Sequence, residues 1–180
     1  MIVGKGDIAS VLIDKPDFIY FASGVSNSRE KRESEYDREK FLLLKQDRSK
    51  HLVYFSYLAI FYSDTRYTRH KLEMEKLIKL NFPKYTIMRI GNITWGNNPN
   101  TLINYLKNKM YRNEKLEIRD EYRYILDVDE FIHWINLIPP WSCEMNVVGR
   151  MMKVEDVARE IAMREVYNYY MEKEWVRYQS

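Results

Sequence analysis

Cysteine is almost absent: Cys143 is the single one in 180 residues. That excludes an intramolecular disulfide framework and a cysteine-only zinc site. Histidine is nearly as scarce, with His51, His70 and His133 far apart in sequence. Glycine (6) and proline (5) are few, which argues against disorder and against a turn-rich all-β fold. No apolar run approaches ~18 residues, so no transmembrane helix is expected. The opening MIVGKGDIAS lacks the hydrophobic stretch of a signal peptide. Neither sign of charge dominates, since 29 Lys+Arg face 26 Asp+Glu. The net +3 is spread along the chain, so a nucleic-acid surface is not expected. These absences leave a cytoplasmic, soluble chain of one domain, with no metal, membrane or nucleic-acid partner.

What is present is 46% hydrophobic residues, enough for a sizeable core. Apolar runs at 1–3, 18–22, 51–56 and 85–90 read as strands, with weaker ones at Leu116–Ile118 and Met145–Val148. Near-continuous rather than alternating apolar strands fit a parallel sheet covered on both faces. Helical patterns fall between them, over 29–46, 67–81, 100–111 and 129–138. A last helix starts near Lys153 and carries Val154, Val157, Ala158, Ile161, Ala162 and Val166 at the 3.6-residue period. The final residues, Trp175 to Ser180, have no clear core face and are expected to fray. Strand alternating with helix predicts an α/β doubly wound, Rossmann-type parallel sheet. Residues 1–91 would form the nucleotide-binding core. Residues 92–180 would supply the last strands and helices, with a small substrate lobe woven from 92–145.

The densest charge lies in REKRESEYDREK, residues 29–40, where ten of twelve positions are charged, five of each sign. Such a balanced run reads as a solvated helix face with i,i+3 and i,i+4 pairs. His70 and His133 likewise read as structural helix residues, His70 facing solvent, and Cys143 as an unreactive thiol.

Two constellations carry chemistry. Gly4-x-Gly6-x-x-Ala9 follows the first strand and precedes a helix expected from Asp7 onward. The first glycine allows a tight turn, the second lets a pyrophosphate approach the backbone, and the small third residue lets helix and strand pack. The second is Tyr67-x-x-x-Lys71, with Ser56 at the end of the preceding strand. On a helix this spacing puts phenol and ammonium on one face. A nearby ammonium favours the phenolate and lowers a tyrosine pKa.

These segments together resemble the extended short-chain dehydrogenase/reductases, including the NAD-dependent nucleotide-sugar epimerases, dehydratases and reductases. GKGDIA is similar to their Gly-rich turn, FIYFASGVS to their fourth strand, and LVYFS with YTRHK to their Ser-Tyr-Lys set. IMRIGNITWG resembles an Arg-x-x-Asn-x-Tyr-Gly stretch, with Trp95 at the Tyr position. RYILDVDEF resembles a segment whose arginine, here Arg123, holds substrate phosphate and whose acidic residue, here Asp129, starts a helix. MNVVG followed by KVEDVAREI resembles the C-terminal strand and helix. The resemblance implies NAD or NADP as cofactor, bound by Gly4, Gly6, Asp7, Ile8, Ala22, Ser23, Gly24, Tyr67 and Lys71. It implies a nucleotide-sugar-like substrate held by Asn92 and Arg123. In the chemistry it implies, Ser56, Tyr67 and Lys71 assist hydride transfer. It also implies a homodimer through helices 34–46 and 67–81, which the apolar cluster Phe41-Leu42-Leu43-Leu44 favours independently.

Three departures qualify that implication. Between Gly6 and Phe18 there is room for one short helix, where the family has two further strand–helix units of ~30 residues each. The residue that reads the adenosine ribose lies in that stretch, so the expectation is weak dinucleotide binding, or binding completed by another chain, with little choice between NAD and NADP. The Ser56-to-Tyr67 spacing is shorter than is usual in this branch. Tyr57 and Leu58 also stand where sugar dehydratases carry an Asp-Glu pair, which points away from water elimination. The alternative reading is a non-catalytic, shortened binding or scaffold protein of the same fold.

Overall fold

The computed structural model describes residues 1–165. In chain order the elements are β1 (Ile2–Val3), β2 (Phe18–Phe21), α1 (Glu33–Leu44), β3 (His51–Tyr57), α2 (Arg66–Asn81), β4 (Tyr85–Ile90), β5 (Asn92–Ile93), α3 (Leu102–Tyr111), β6 (Tyr122–Leu126), α4 (Val128–Asn136), β7 (Cys143–Val147) and β8 (Arg150–Lys153). A further helix, α5, covers 154–165. Five strands form a parallel sheet in the order β1-β2-β3-β4-β7. This is the expected α/β architecture, with helices on both faces.

Side chains alternate across each strand, and here both faces are buried. Tyr20, Val53, Phe55, Met88 and Ile90 pack against Phe131 and Ile135 of α4. Ile19, Phe21, Leu52, Tyr54 and Ile87 pack against Leu43 of α1 and Met74 and Ile78 of α2. Both positions of each strand are therefore apolar, which explains the near-continuous runs. Helix α2 starts where Thr65 and Thr68 cap one another, each hydroxyl accepting the other's backbone N–H at 3.1 and 2.8 Å. It stops at Phe82, before Pro83, which supplies no N–H to continue it.

A second sheet, β5-β6-β8, pairs β5 with β6 in parallel and β6 with β8 antiparallel. Its core joins Ile125 to Ile103 and Leu106 of α3 and to Val154, Val157, Ala158 and Ile161. The lobe is thus not confined to 92–145. β7, which starts inside that range, returns to the main sheet, and β8 and α5 beyond it complete the lobe. Gly91 makes the crossing from β4 to β5: a Cβ there would lie 2.7 Å from the Tyr124 carbonyl oxygen.

Other expectations need correction. Residues 116–118 form no strand. Only a single 3-10 turn at Ala9–Val11 follows the Gly-rich segment, not a helix from Asp7. His70 is fully buried, and so is Glu39 in the middle of the charge run. Helix α1 buries Tyr36, Glu39 and Leu43, a three- and four-residue spacing that charge composition alone conceals. Val166 and the stretch from Trp175 to Ser180 lie outside the described residues.

Candidate active site

The C-terminal ends of the parallel strands open onto a cavity of about 350 Å³. Ligands of open parallel sheets bind at these strand ends. Gly6, Asp7 and Ile8 border it, together with Asn98, Asn100 and Thr101. Gly4 keeps the turn tight against β2. Its φ is +135°, and a Cβ would sit 2.4 Å from the Ala22 carbonyl oxygen, so no other residue fits. Ala22 and Gly24 line the floor, whereas Ser23 does not, its hydroxyl accepting from Arg38 Nη1 at 3.4 Å.

Helix α2 presents Tyr67 and Lys71 to the cavity from successive turns. Lys71 Nζ lies 5.5 Å from the centre of the Tyr67 ring. Tyr57, the last residue of β3, stacks edge-on against Tyr67 at 6.0 Å. Its hydroxyl donates to Asn92 Oδ1 at 3.3 Å, and Asn92 Nδ2 donates to the Tyr124 carbonyl at 3.2 Å. Burial raises both the Tyr57 and the Tyr67 phenols.

Under this surface lies a closed polar network. The fully buried Glu39 carboxylate accepts four hydrogen bonds. Val25 N–H and His70 Nε2 reach Oε2 at 2.7 and 2.9 Å, and Tyr54 O–H and Lys71 Nζ reach Oε1 at 2.8 and 3.2 Å. Lys71 also donates to the Tyr54 hydroxyl at 3.0 Å. Burial pushes the Glu39 carboxyl up, but Lys71, His70 and the Val25 N–H together hold it well below the ordinary carboxylate value. Glu39 also raises the Tyr67 phenol, after burial. Lys71 was expected to lower that phenol; its charge is instead matched by Glu39. His70 Nδ1 is buried with no hydrogen-bond partner among the described residues.

Ser56 borders the cavity, but its hydroxyl points elsewhere. It shares the Tyr54 face of β3 and donates to Glu75 Oε1 at 2.6 Å. Glu75 is in turn held by Arg89 at 2.9 and 2.6 Å. The expected alkoxide donor is thus committed to a carboxylate, and Tyr57 takes the strand-end position over the cavity. Arg123 does not line the cavity. It donates to Glu121 at 2.6 Å, though its charge still pulls the Tyr57 phenol down. Asp129 lies in the first turn of α4, which begins at Val128 after Asp127. Composition gave no sign of Glu39, Tyr54 or Tyr57 as site residues. Counting alternate positions along β3 from Leu52 separates Ser56 from Tyr57, and the Tyr36–Glu39–Leu43 spacing marks Glu39.

No protein-family model matches the chain, and no curated protein matches it in sequence. Solved structures do match in three dimensions. The dTDP-4-dehydrorhamnose reductase of Bacillus anthracis, in complex with NADP, superposes with a TM-score of 0.67 at 16% identity. The match covers 83% of this chain and 62% of that one. The Bordetella bronchiseptica enzyme WbmG, in complex with NAD and UDP, gives 0.66 at 15%, covering 81% and 55%. The fold is the one these enzymes share, an α/β Rossmann-type parallel sheet. The Thermus thermophilus UDP-glucose 4-epimerase, complexed with NAD, gives 0.62 at 14%, covering 82% of this chain and 61% of its own. The match therefore spans 55–62% of the length of these three solved proteins. In the described part, β1 is the sheet edge, with β2 its one strand neighbour. No described helix is long and apolar enough to cross a membrane.

Proposed function

We propose that this chain is an NAD(P)-dependent oxidoreductase or epimerase of nucleotide-sugar-type substrates, working as a homodimer. The observation that carries it is the placement of Tyr67 and Lys71, one helical turn apart, at the strand-end cavity beside Tyr57 and Asn92. The proteins of like fold named above, complexed with NAD or NADP, support the same reading.

The inner end of the cavity fits a nicotinamide ribose. Lys71 Nζ, the Tyr57 and Tyr67 phenols and the Asn92 amide offer donors and acceptors to sugar hydroxyls and a carboxamide. Gly24 lets the Glu39–Lys71 pair come close beneath it, since a Cβ there would lie 2.9 Å from both Glu39 Oε1 and Lys71 Nζ. The outer end does not fit a pyrophosphate. Ala9–Val11 makes one 3-10 turn and supplies no α-helix N-terminus, and Asp7 brings a carboxylate. When bound, the nicotinamide would accept or donate hydride. Tyr67 would hold the proton exchanged with the substrate oxygen, because its phenol stays protonated in the free site. Lys71 would orient the ribose once a hydroxyl competes for its third proton. Asn92 would fix the Tyr57 hydroxyl toward the substrate, in the place first assigned to Ser56.

A second reading, a binding protein without turnover, is favoured by one feature: the Lys71 charge is already matched by Glu39. Fluorescence titration with NADH and NADPH, followed by the Tyr67→Phe variant, separates the two. On the catalytic reading, Tyr67→Phe keeps dinucleotide affinity and loses about 10²–10⁴ in turnover. A variant as active as wild type sinks the assignment of Tyr67, and dinucleotide binding without turnover of any nucleotide sugar supports the binding protein.

A further inference from the structure

Asp7 is held in an unusual way. Its carboxylate takes two consecutive backbone N–H groups, Asn97 on Oδ1 and Asn98 on Oδ2, each at 3.0 Å. Trp95 Nε1 donates to its carbonyl at 2.9 Å. Gly96 between them has φ +88°, and a Cβ there would lie 2.0 Å from Asp7 Cγ, so the loop is shaped around this side chain. Asn104 Nδ2 on α3 fastens the loop by donating to the carbonyls of Gly96 and Asn98, both at 3.0 Å. Successive N–H groups converging on one negative group form an anion nest. In this protein the nest is filled from within.

We propose that Asp7 is a specificity-determining residue: an internal anion that occupies the nest and turns phosphoryl groups away from the Gly-rich end of the cavity. Among the described residues, the charged side chains bordering the cavity are Asp7 and Lys71, and Lys71 is matched by Glu39. Lys5, beside the turn, is exposed and does not border it. A pyrophosphate arriving at Gly6 therefore meets a carboxylate with no free cation to offset it, while the inner end still accepts a neutral nucleoside. The consequence is a site that discriminates less between nucleoside and dinucleotide than a phosphate-binding turn would. This inference rests on the reading of the cavity as an NAD(P) site.

The test compares NADH, which carries the pyrophosphate, with dihydronicotinamide riboside, which is neutral and carries none. Both are titrated by fluorescence into wild type and Asp7→Asn. Removing the charge should tighten NADH about tenfold or more and leave the riboside within about twofold. Asp7→Ser, with thermal unfolding checked alongside, gives the same comparison if Asp7→Asn does not fold. NADH bound equally or more weakly by the variants, or an equal gain for both ligands, overturns the role of Asp7 and leaves the NAD(P) reading standing. Failure of both ligands to bind wild type and variants alike overturns the NAD(P) reading together with this inference.

Discussion

Helix α2 carries two buried charge clusters one turn apart, and they differ in how water reaches them. His70 and Lys71 meet Glu39 in a pocket closed by Tyr54 and the Val25 N–H, with the two ring and carboxylate partners at 0% exposure. Glu75 meets Arg89, which is 11% exposed and leads outward to Glu144 at 36% and Lys79 at 39%. Both clusters are densely hydrogen-bonded, the inner one on the Glu39 carboxylate and the outer one on Glu75. The inner one reaches solvent only through Lys71, 4% exposed at the cavity, and through Glu73, 4.0 Å from His70 Nδ1, whereas the outer one can exchange Arg89 or Lys79 for water. The consequence of damage is therefore set by solvent access, not by the count of hydrogen bonds.

Breaking the inner cluster is the sharpest trial of this difference. Glu39→Leu leaves the Lys71 ammonium buried without its counter-ion, and should cost about 3–5 kcal/mol in urea unfolding. The pH dependence follows from the same carboxyl. Its folded value is depressed below its ordinary value of 4.5, so its stabilisation is full above that pH and is lost as pH falls below it. Glu39→Gln should lose less stability on acidification than wild type does, and equal acid sensitivity of the two would mean that Glu39 is not the group responsible. Arg89→Met in the outer cluster should cost less, about 1.5–3 kcal/mol. If Arg89→Met proves as damaging as Glu39→Leu, solvent access is not what separates them.

Ser56→Ala should cost about 1 kcal/mol for its single hydrogen bond to Glu75 and leave NADH affinity unchanged. A fall in turnover at unchanged stability would return Ser56 to the chemistry. The smallest effect on stability is expected at Phe41, 58% exposed on α1 with the Lys45 ammonium 3.9 Å above its ring. Phe41→Glu should change stability by no more than about 0.5 kcal/mol. It should also halve the mass seen by light scattering, if α1 and α2 form the dimer contact. A monomeric wild type removes that interface.

The strands were the most readable part of the sequence, because burial on both faces leaves uninterrupted apolar runs such as His51–Tyr57 and Tyr85–Ile90. The Tyr67–Lys71 pair was readable because helical spacing alone fixes their shared face. Glu39 was not, since a carboxylate inside a balanced charge run looks like its solvated neighbours until Tyr54, His70 and Lys71 converge on it from other elements. Ser56 misled for a different reason. A residue's place at a strand end is visible in sequence, but with both faces of β3 apolar nothing marks which one faces the cavity until Tyr54 and Ser56 are seen turned to Glu39 and Glu75. The helix expected after Gly6 failed because the Asp7 backbone and side chain are taken by Trp95, Asn97 and Asn98, some ninety residues on.

The position of β7 sets the order in which the sheet can assemble. It lies beside β4, yet Thr86 and its partner Cys143 are 57 residues apart in sequence. In between, the chain must leave the main sheet at Gly91 and traverse β5, α3, β6 and α4. Doubling such an excursion costs only about 0.6 kcal/mol in closure entropy, so the final stability is little affected. The rate is affected more, because distant pairings form after local ones. β2, β3 and β4 should therefore gather first, leaving the far edge of β4 bare until β7 arrives. The single thiol of the chain stands on that last strand, at Cys143. Its reactivity toward a thiol reagent during refolding should fall later than amide exchange at Leu52–Phe55, timing the closure of the sheet with no label added.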